Sequence, residues 1–477
     1  MNRFIQVIIL YFTLMISWST SAQELLSYEF LVERSRTYMT TNYGFFMENG
    51  VRLYAITYTT PDITGVLDTA SGLIAVPVRG EDELLPQLIY QHGTVADRND
   101  APSLLAGGYQ LAEAMAGMGF VTLAPDFLGI GVSKGIHPYV HAETQSSAAI
   151  DMLYALQAFA ELNEILLNDQ LFITGYSQGG HAAMAVHRDI ETNLSHEFTV
   201  TAAAHLSGPY SISGVMFDLM VGDEPYNFAA YLPHTIRSYN AVYNLFEDVI
   251  EEVFDDPYIP ALRAFEAEEI DLFQLNTTLL QLLEQNTGNT VVRNLMREDF
   301  VNDIIADPEH PLRQVLRDND VYDWTPKAPT RIFYCEGDDQ VPFRNSTLAD
   351  SVMNANGAED VESRNLNSDF DHGQCVTPAI TNTIVFFLDY RDISTSTQEI
   401  VDFASPTIYP NPASDWFDLA PPDGLTSVEI VDHFGRTILY REDISGRIDI
   451  SRLKPGIYYV RSIYHDGKGG ISKLIKQ

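Results

Sequence analysis

Residues 170 to 181, QLFITGYSQGGH, hold the pattern G-x-S-x-G as Gly175-Tyr176-Ser177-Gln178-Gly179. A short apolar, β-prone run (Leu171 to Thr174) enters it and a helix-forming stretch (His181 to Ile190) leaves it. A serine at the tip of such a strand-to-helix turn is suited to nucleophilic attack on an acyl carbon, and the close quarters of the turn explain the flanking glycines. Such a serine needs a base, and the base an orienting carboxylate; for a serine on this kind of strand-to-helix turn the chain order is serine, acid, histidine. The acid is expected just after a later strand. Thr330 to Cys335 reads as that strand and runs into Glu336-Gly337-Asp338-Asp339-Gln340-Val341-Pro342, where Asp338 is favoured over Asp339 and Glu336. Of the 12 histidines only His372, His433 and His465 follow it, and the last two lie in a tail of different character. His372 is left as the base.

Charge developing on the attacked carbonyl calls for an oxyanion hole, built from the N–H after the nucleophile and another from the loop after an earlier strand. Gln178 supplies the first. Pro86 to Gln91 is the earlier strand and ends in His92-Gly93-Thr94, so the second is expected from Thr94, with His92 equally readable as a packed core histidine. His137, His141 and His181 precede the acid in the chain and are read as structural. The two cysteines sit three residues before Asp338 and three after His372. A working triad brings those loops together, so an oxidising compartment predicts a Cys335 to Cys375 disulfide. This chemistry calls for no metal or other cofactor.

The elements that must position these residues follow a regular order. Residues 23 to 50 read as a mostly helical lead-in, Arg52 to Thr60 and Leu73 to Val78 as strands, Leu104 to Met118 as helix, Phe120 to Ala124 as strand and Ala142 to Leu162 as a long helix. Thr199 to Leu206 is one more strand. Such alternation implies an α/β fold with a mostly parallel sheet covered by helices on both faces. Ser177 and Asp338 are 161 residues apart, more than two βα units of roughly 30 residues each require. The excess, residues 209 to 325, is rich in helix formers and tyrosines and reads as a helical lid. Tyr226, Phe228, Tyr231, Leu232 and Tyr239 are candidates for an acyl pocket or for the lid's own core.

The 477-residue length suggests two or three domains. Residues 1–22 have a basic start, an apolar core from Ile5 to Ile16 and small residues up to Ala22, which marks a signal peptide too short to span a membrane comfortably. The net charge of −37, from 65 acidic and 28 basic residues, speaks against nucleic acid as a partner. Residues 23–391 form the expected catalytic domain, 392–404 a polar linker and 405–477 a separate module. In that module nine acidic residues balance nine basic ones, so the negative charge belongs to the rest of the chain. Short strands at Ser427 to Val431, Ile448 to Ile450 and Ile457 to Ile463, with turns placed at Gly435, Gly446 and Gly456, predict a small C-terminal β-sandwich.

Two resemblances extend this reading. Thr122-Leu123-Ala124-Pro125-Asp126-Phe127-Leu128-Gly129-Ile130-Gly131, the GYSQGG turn, Gly337-Asp338-Asp339-Gln340-Val341-Pro342 and Asp371-His372-Gly373 resemble α/β-hydrolases of the secretory lipase type. The resemblance implies that Ser177, Asp338 and His372 form the triad, although Cys335 stands where the family usually has a glycine. Tyr409-Pro410-Asn411-Pro412-Ala413, Leu453-Lys454-Pro455-Gly456-Ile457-Tyr458 and Lys473-Leu474-Ile475-Lys476 resemble the C-terminal sorting domain of the type IX secretion system. That resemblance implies export through the periplasm by the type IX machinery, to the medium or the cell surface. The expectation is a secreted serine carboxylic-ester hydrolase acting on a small-molecule or lipid ester. A serine peptidase of the same fold, a carbohydrate (acetyl or feruloyl) esterase and an inactive binding protein are the alternatives.

Overall fold

The computed structural model describes residues 24–393, apart from 45, 81 and 82, and residues 407–477, apart from 421–424, 432–436, 443–446 and 465–468. The expected signal peptide lies outside the described residues, as does the expected linker except for residues 392 and 393.

Nine strands form the main sheet: β1 (Leu25–Arg34), β2 (Gly50–Pro61), β3 (Leu67–Val78), β4 (Leu85–Gln91), β5 (Val121–Pro125), β6 (Leu167–Tyr176), β7 (Val200–Leu206), β8 (Thr330–Tyr334) and β9 (Val361–Asn365). Their order is β1-β2-β3-β5-β4-β6-β7-β8-β9. The pairs from β5 to β9 are parallel, whereas β1, β2 and β3 join antiparallel. Helices α1 (Arg36–Tyr43), α2 (Tyr109–Gly117), α3 (Ala142–Leu162) and α4 (Gln178–Asn193) interleave with the first seven strands. The central strands read as continuous apolar runs because both faces are covered. Alternate residues go to opposite sides: Leu88 and Phe172 pack with Met115 of α2, while Ile89 and Ile173 pack with Leu153 of α3 and Val186 of α4.

Two expectations for the early chain are corrected. The lead-in is helical only over α1, capped by Ser35, whose side chain accepts from Tyr38 N–H. Leu25 to Arg34 is instead the edge strand β1. Its Leu26, Tyr28 and Phe30 alternate with Ser27 and Glu29, a period of two that fits a pleated strand and not a helix. Helix α2 begins only at Tyr109, because Gly107 and Gly108, at φ 55° and 80°, break the pattern before it.

Between β7 and β8 the chain leaves the sheet and builds α5 (Phe217–Val221), α6 (Tyr231–Tyr243), α7 (Val249–Val253), α8 (Ile259–Glu266), α9 (Leu272–Thr287), α10 (Glu298–Ala306) and α11 (Pro311–Asp318). These helices bury a core of their own, with Tyr239, Leu275, Leu279, Leu295, Ile304 and Leu312 fully enclosed. After β8 come α12 (Arg344–Ala355), β9 and α13 (His372–Leu388). Ala379 and Phe387 of α13 pack on the same sheet face as α2.

The C-terminal strands are β10 (Thr407–Tyr409), β11 (Trp416–Ala420), β12 (Leu425–Val431), β13 (Thr437–Arg441), β14 (Ile448–Asp449), β15 (Gly456–Tyr464) and β16 (Gly469–Lys476). They make two antiparallel sheets, β10-β11-β14 and β13-β12-β15-β16. Ile408 and Phe417 of the first meet Val428, Ile430, Val460 and Leu474 of the second in one core, the arrangement of a sandwich. Gly456 opens β15 and is not a turn residue; Gly435 and Gly446 lie outside the described residues. No helix among the described residues is long and apolar enough to cross a membrane.

Candidate active site

Strand β6 ends at Tyr176 and α4 starts at Gln178, which leaves Ser177 alone at the turn with φ 62° and ψ −123°, a conformation rare for a non-glycine residue. Its N–H donates to Leu206 O at 2.9 Å, and its carbonyl accepts from Gly180 N–H and His181 N–H. The flanking glycines are required by close approach. A Cβ on Gly175 would sit 2.1 Å from Gly179 O, and one on Gly179 would sit 2.0 Å from Gln91 O. Gln178 opens α4, so its N–H belongs to the set that a helix start leaves without an intrahelical acceptor.

The loop after β4 lies against this turn. A Cβ on Gly93 would be 3.4 Å from Tyr176 O and 3.8 Å from Ser177 Cβ, which brings Gly93, the residue before Thr94, beside the serine. His92 is fully buried, with Nδ1 2.7 Å from Gly93 O and Nε2 3.2 Å from Asp126 O, and burial pushes its pKa down. Thr94 Oγ1 is 2.9 Å from the Tyr139 hydroxyl.

His372 is the first residue of α13, fixed there by a reciprocal cap in which Asp371 accepts from Gln374 N–H and Gln374 from Asp371 N–H. Its Nδ1 lies 2.7 Å from Asp338 Oδ2. Asp338 Oδ1 accepts from Gln340 N–H at 3.0 Å and Val341 N–H at 2.8 Å, so the carboxylate is fixed by the loop that carries it. An acceptor at Nδ1 places the proton there and leaves Nε2 with a free lone pair. Asp339 faces elsewhere: Oδ1 accepts from the His372 backbone N–H at 3.2 Å and Oδ2 from Asn227 of the lid. Glu336 accepts from Ser368 Oγ. Tyr176, next to Ser177, donates its hydroxyl to His372 O at 2.5 Å, and the two rings lie 5.0 Å apart. A disulfide joins Cys335 to Cys375, with Cα atoms 6.0 Å apart, between the loop of Asp338 and the first turn of α13.

Of the histidines read as structural, His141 and His181 have internal partners. His141 caps α3 through Thr144 and lies 3.0 Å from the Tyr243 hydroxyl; His181 lies between Gln145 Oε1 and Asn319 O. Burial pushes both down to about 4.

A cavity of about 740 Å³, including its mouth, opens between Ser177, Gln178, Gln340 and Val341 on the core and α5, α6 and α11 on the lid. Of the five lid residues singled out, Tyr226, Tyr231 and Leu232 line it. Phe228 stacks on Tyr231 within the lid core, and Tyr239 is buried with its hydroxyl donating to Val140 O. Tyr226 and Tyr231 donate their hydroxyls to Gln340 O and Gln340 Oε1, at 2.7 and 3.0 Å. Sequence reasoning missed Tyr176, Gln340 and Tyr139. The first two are neighbours of Ser177 and Asp338 in the motifs themselves, whereas nothing local marks Tyr139.

Known structures share this arrangement of elements. A crystal structure described as a hydrolase from Legionella pneumophila is 25% identical, with a TM-score of 0.69, covering 79% of this chain and all of its own. The rice cell wall degrading esterase LipA from Xanthomonas oryzae is also 25% identical, with a TM-score of 0.65, covering 77% of this chain and 98% of its own. Candida antarctica lipase A in its closed state, at 14% identity and a TM-score of 0.55, covers 80% of this chain and 84% of its own and shares the fold. No curated protein matches the sequence. The chain has the α/β-hydrolase fold, with a helical insertion over the end of the sheet that bears Ser177. Residues 407–477 match the secretion system C-terminal sorting domain. The hydrolase is therefore equipped for export, to the medium or the cell surface, through the type IX system.

Proposed function

We propose that the protein is a carboxylic-ester hydrolase working through Ser177, His372 and Asp338. His372 Nε2 takes the proton of Ser177 as its oxygen attacks the ester carbonyl, and Asp338 holds the imidazole in the required tautomer and supports its positive charge. The N–H groups of Gln178 and Thr94 hold the oxyanion. The alcohol leaves with the proton from His372, and water, activated by the same nitrogen, releases the acid from the acyl-enzyme. No step needs a group beyond these side chains and water.

The observation that carries this reading is the 2.7 Å contact of His372 Nδ1 with a carboxylate fixed by its own loop, tied through the Tyr176 hydroxyl on His372 O to the strained turn that bears Ser177. The cavity supports an acyl chain as the part of the substrate that is enclosed, since Ile212, Phe217, Met220, Val292 and Leu316 offer it only apolar surface. A second reading, an ester carried on a polysaccharide, is favoured by the likeness to the cell wall degrading esterase.

Labelling with a fluorophosphonate tests the nucleophile. One adduct on the peptide containing Ser177, absent in Ser177→Ala, is expected; an unreactive protein, or an adduct elsewhere, would defeat the proposal.

A further inference from the structure

His137 sits in the segment between β5 and α3 and takes no part in the mechanism above. Its Nδ1 is 2.8 Å from Leu128 O. A carbonyl only accepts, so Nδ1 carries the hydrogen and the neutral ring presents Nε2 as an acceptor. That nitrogen is 2.7 Å from Nε2 of Gln178, whose amide therefore donates to it. Burial keeps the ring neutral, pushing its pKa down to about 4, and Phe127 stacks on it at 5.7 Å. From the lid, Ser238 Oγ donates to the His137 carbonyl at 2.9 Å.

Gln178 is the residue whose backbone N–H would face the oxyanion. The peptide that carries this N–H follows Ser177, a residue with φ 62°, and strained backbone keeps its orientation only where the surroundings hold it. The Gln178 side chain is buried, and its amide nitrogen is tethered to His137.

We propose that His137 is a positioning residue for the oxyanion hole: by accepting the Gln178 side-chain amide it fixes the direction of the Gln178 backbone N–H. The inference rests on the function proposed for Ser177 and adds the lid to it. Ser238 of α6 grips His137, His137 grips Gln178, and the docked lid thereby helps to hold the oxyanion donor in place.

Three variants separate positioning from packing. His137→Phe keeps a flat ring against Phe127 without an acceptor, His137→Gln brings an amide oxygen within reach of Gln178, and Gln178→Met keeps the chain's shape without a donor. For each, kcat and KM on a p-nitrophenyl ester, inhibition by a trifluoromethyl ketone and the melting temperature are measured. His137→Phe and Gln178→Met are each expected to lower kcat about tenfold to a hundredfold with KM changed less than about twofold. Ketone binding should weaken by a similar factor. The double variant should be no slower than the slower single one, because both changes break one contact, and His137→Gln should recover most of kcat. Should His137→Phe not fold, Gln178→Met against wild type and His137→Gln carries the test. A wild-type protein without an adduct at Ser177 sinks the underlying reading and this one with it. A wild type that labels, beside a His137→Phe variant with unchanged kcat or a double variant whose losses multiply, sinks only the positioning role.

Discussion

At the scale of single residues, Asp338 and Asp339 are adjacent carboxylates in one turn with different work. Asp338 meets the imidazole, whereas Asp339 receives the His372 main-chain N–H and a lid asparagine. Replacing each by asparagine keeps its size and removes its charge. Asp338→Asn presents an amide donor to Nδ1 and favours the tautomer with no lone pair at Nε2, so kcat should fall by about 10³ to 10⁴. Asp339→Asn loses only an anchor of the backbone and should stay within about tenfold of wild type. Steady-state kinetics of the two, side by side, check this; equal losses would contradict the assignment of the acid. The sequence left these neighbours as rivals because spacing cannot tell which of two adjacent side chains in a turn faces a loop that arrives from further along the chain. As candidates, Ser177 and His372 stood out for a simpler reason. The first sits between glycines that only a tight turn explains, and the second is the one histidine left by chain order.

At the scale of elements, β8 and α13 lead to the proposed acid and base, and the Cys335 to Cys375 bond ties their ends across 40 residues of sequence. Closing a loop of that length restricts the unfolded chain by roughly 4 kcal/mol in the chain-entropy model. Cys335→Ser with Cys375→Ser should therefore lower unfolding free energy in guanidinium by about 2 to 4 kcal/mol. An unchanged midpoint would show that the bond adds nothing to the fold. Elements with both faces buried, such as β4, β6 and β7, were readable as short apolar runs, and α3 as a long apolar periodicity. Strand β1 was not. Its period of two was in the sequence, but at the sheet edge Tyr28 and Phe30 remain exposed, and the Leu and Glu around them carry a helix propensity that masked the alternation. The lid was legible as an insertion, from the excess length between Ser177 and Asp338. Its individual residues were not assignable, because tyrosines and leucines on several short helices can face either a private core or a cavity, and only packing distinguishes them.

At the scale of the whole molecule, charge and core divide the chain in the same way. The tail from Ser405 carries balanced charge and its own buried cluster around Phe417, Val428 and Leu474, while the acidic excess belongs to the rest. Carboxylates also stand beside the base, since Asp339 accepts from the His372 backbone N–H and Asp371 caps the helix that His372 opens. Such a field disfavours anionic substrates and suits a neutral ester whose product is a carboxylate. The sorting domain marks the chain for secretion or the cell surface. The most direct test of ester hydrolysis at Ser177, with an acyl chain under the lid, is a p-nitrophenyl ester series from acetate to palmitate with wild type beside Ser177→Ala. A rate that rises past butyrate and vanishes in the variant is expected. A maximum at acetate would contradict the enclosed acyl chain, and hydrolysis that survives the substitution would contradict the nucleophile itself.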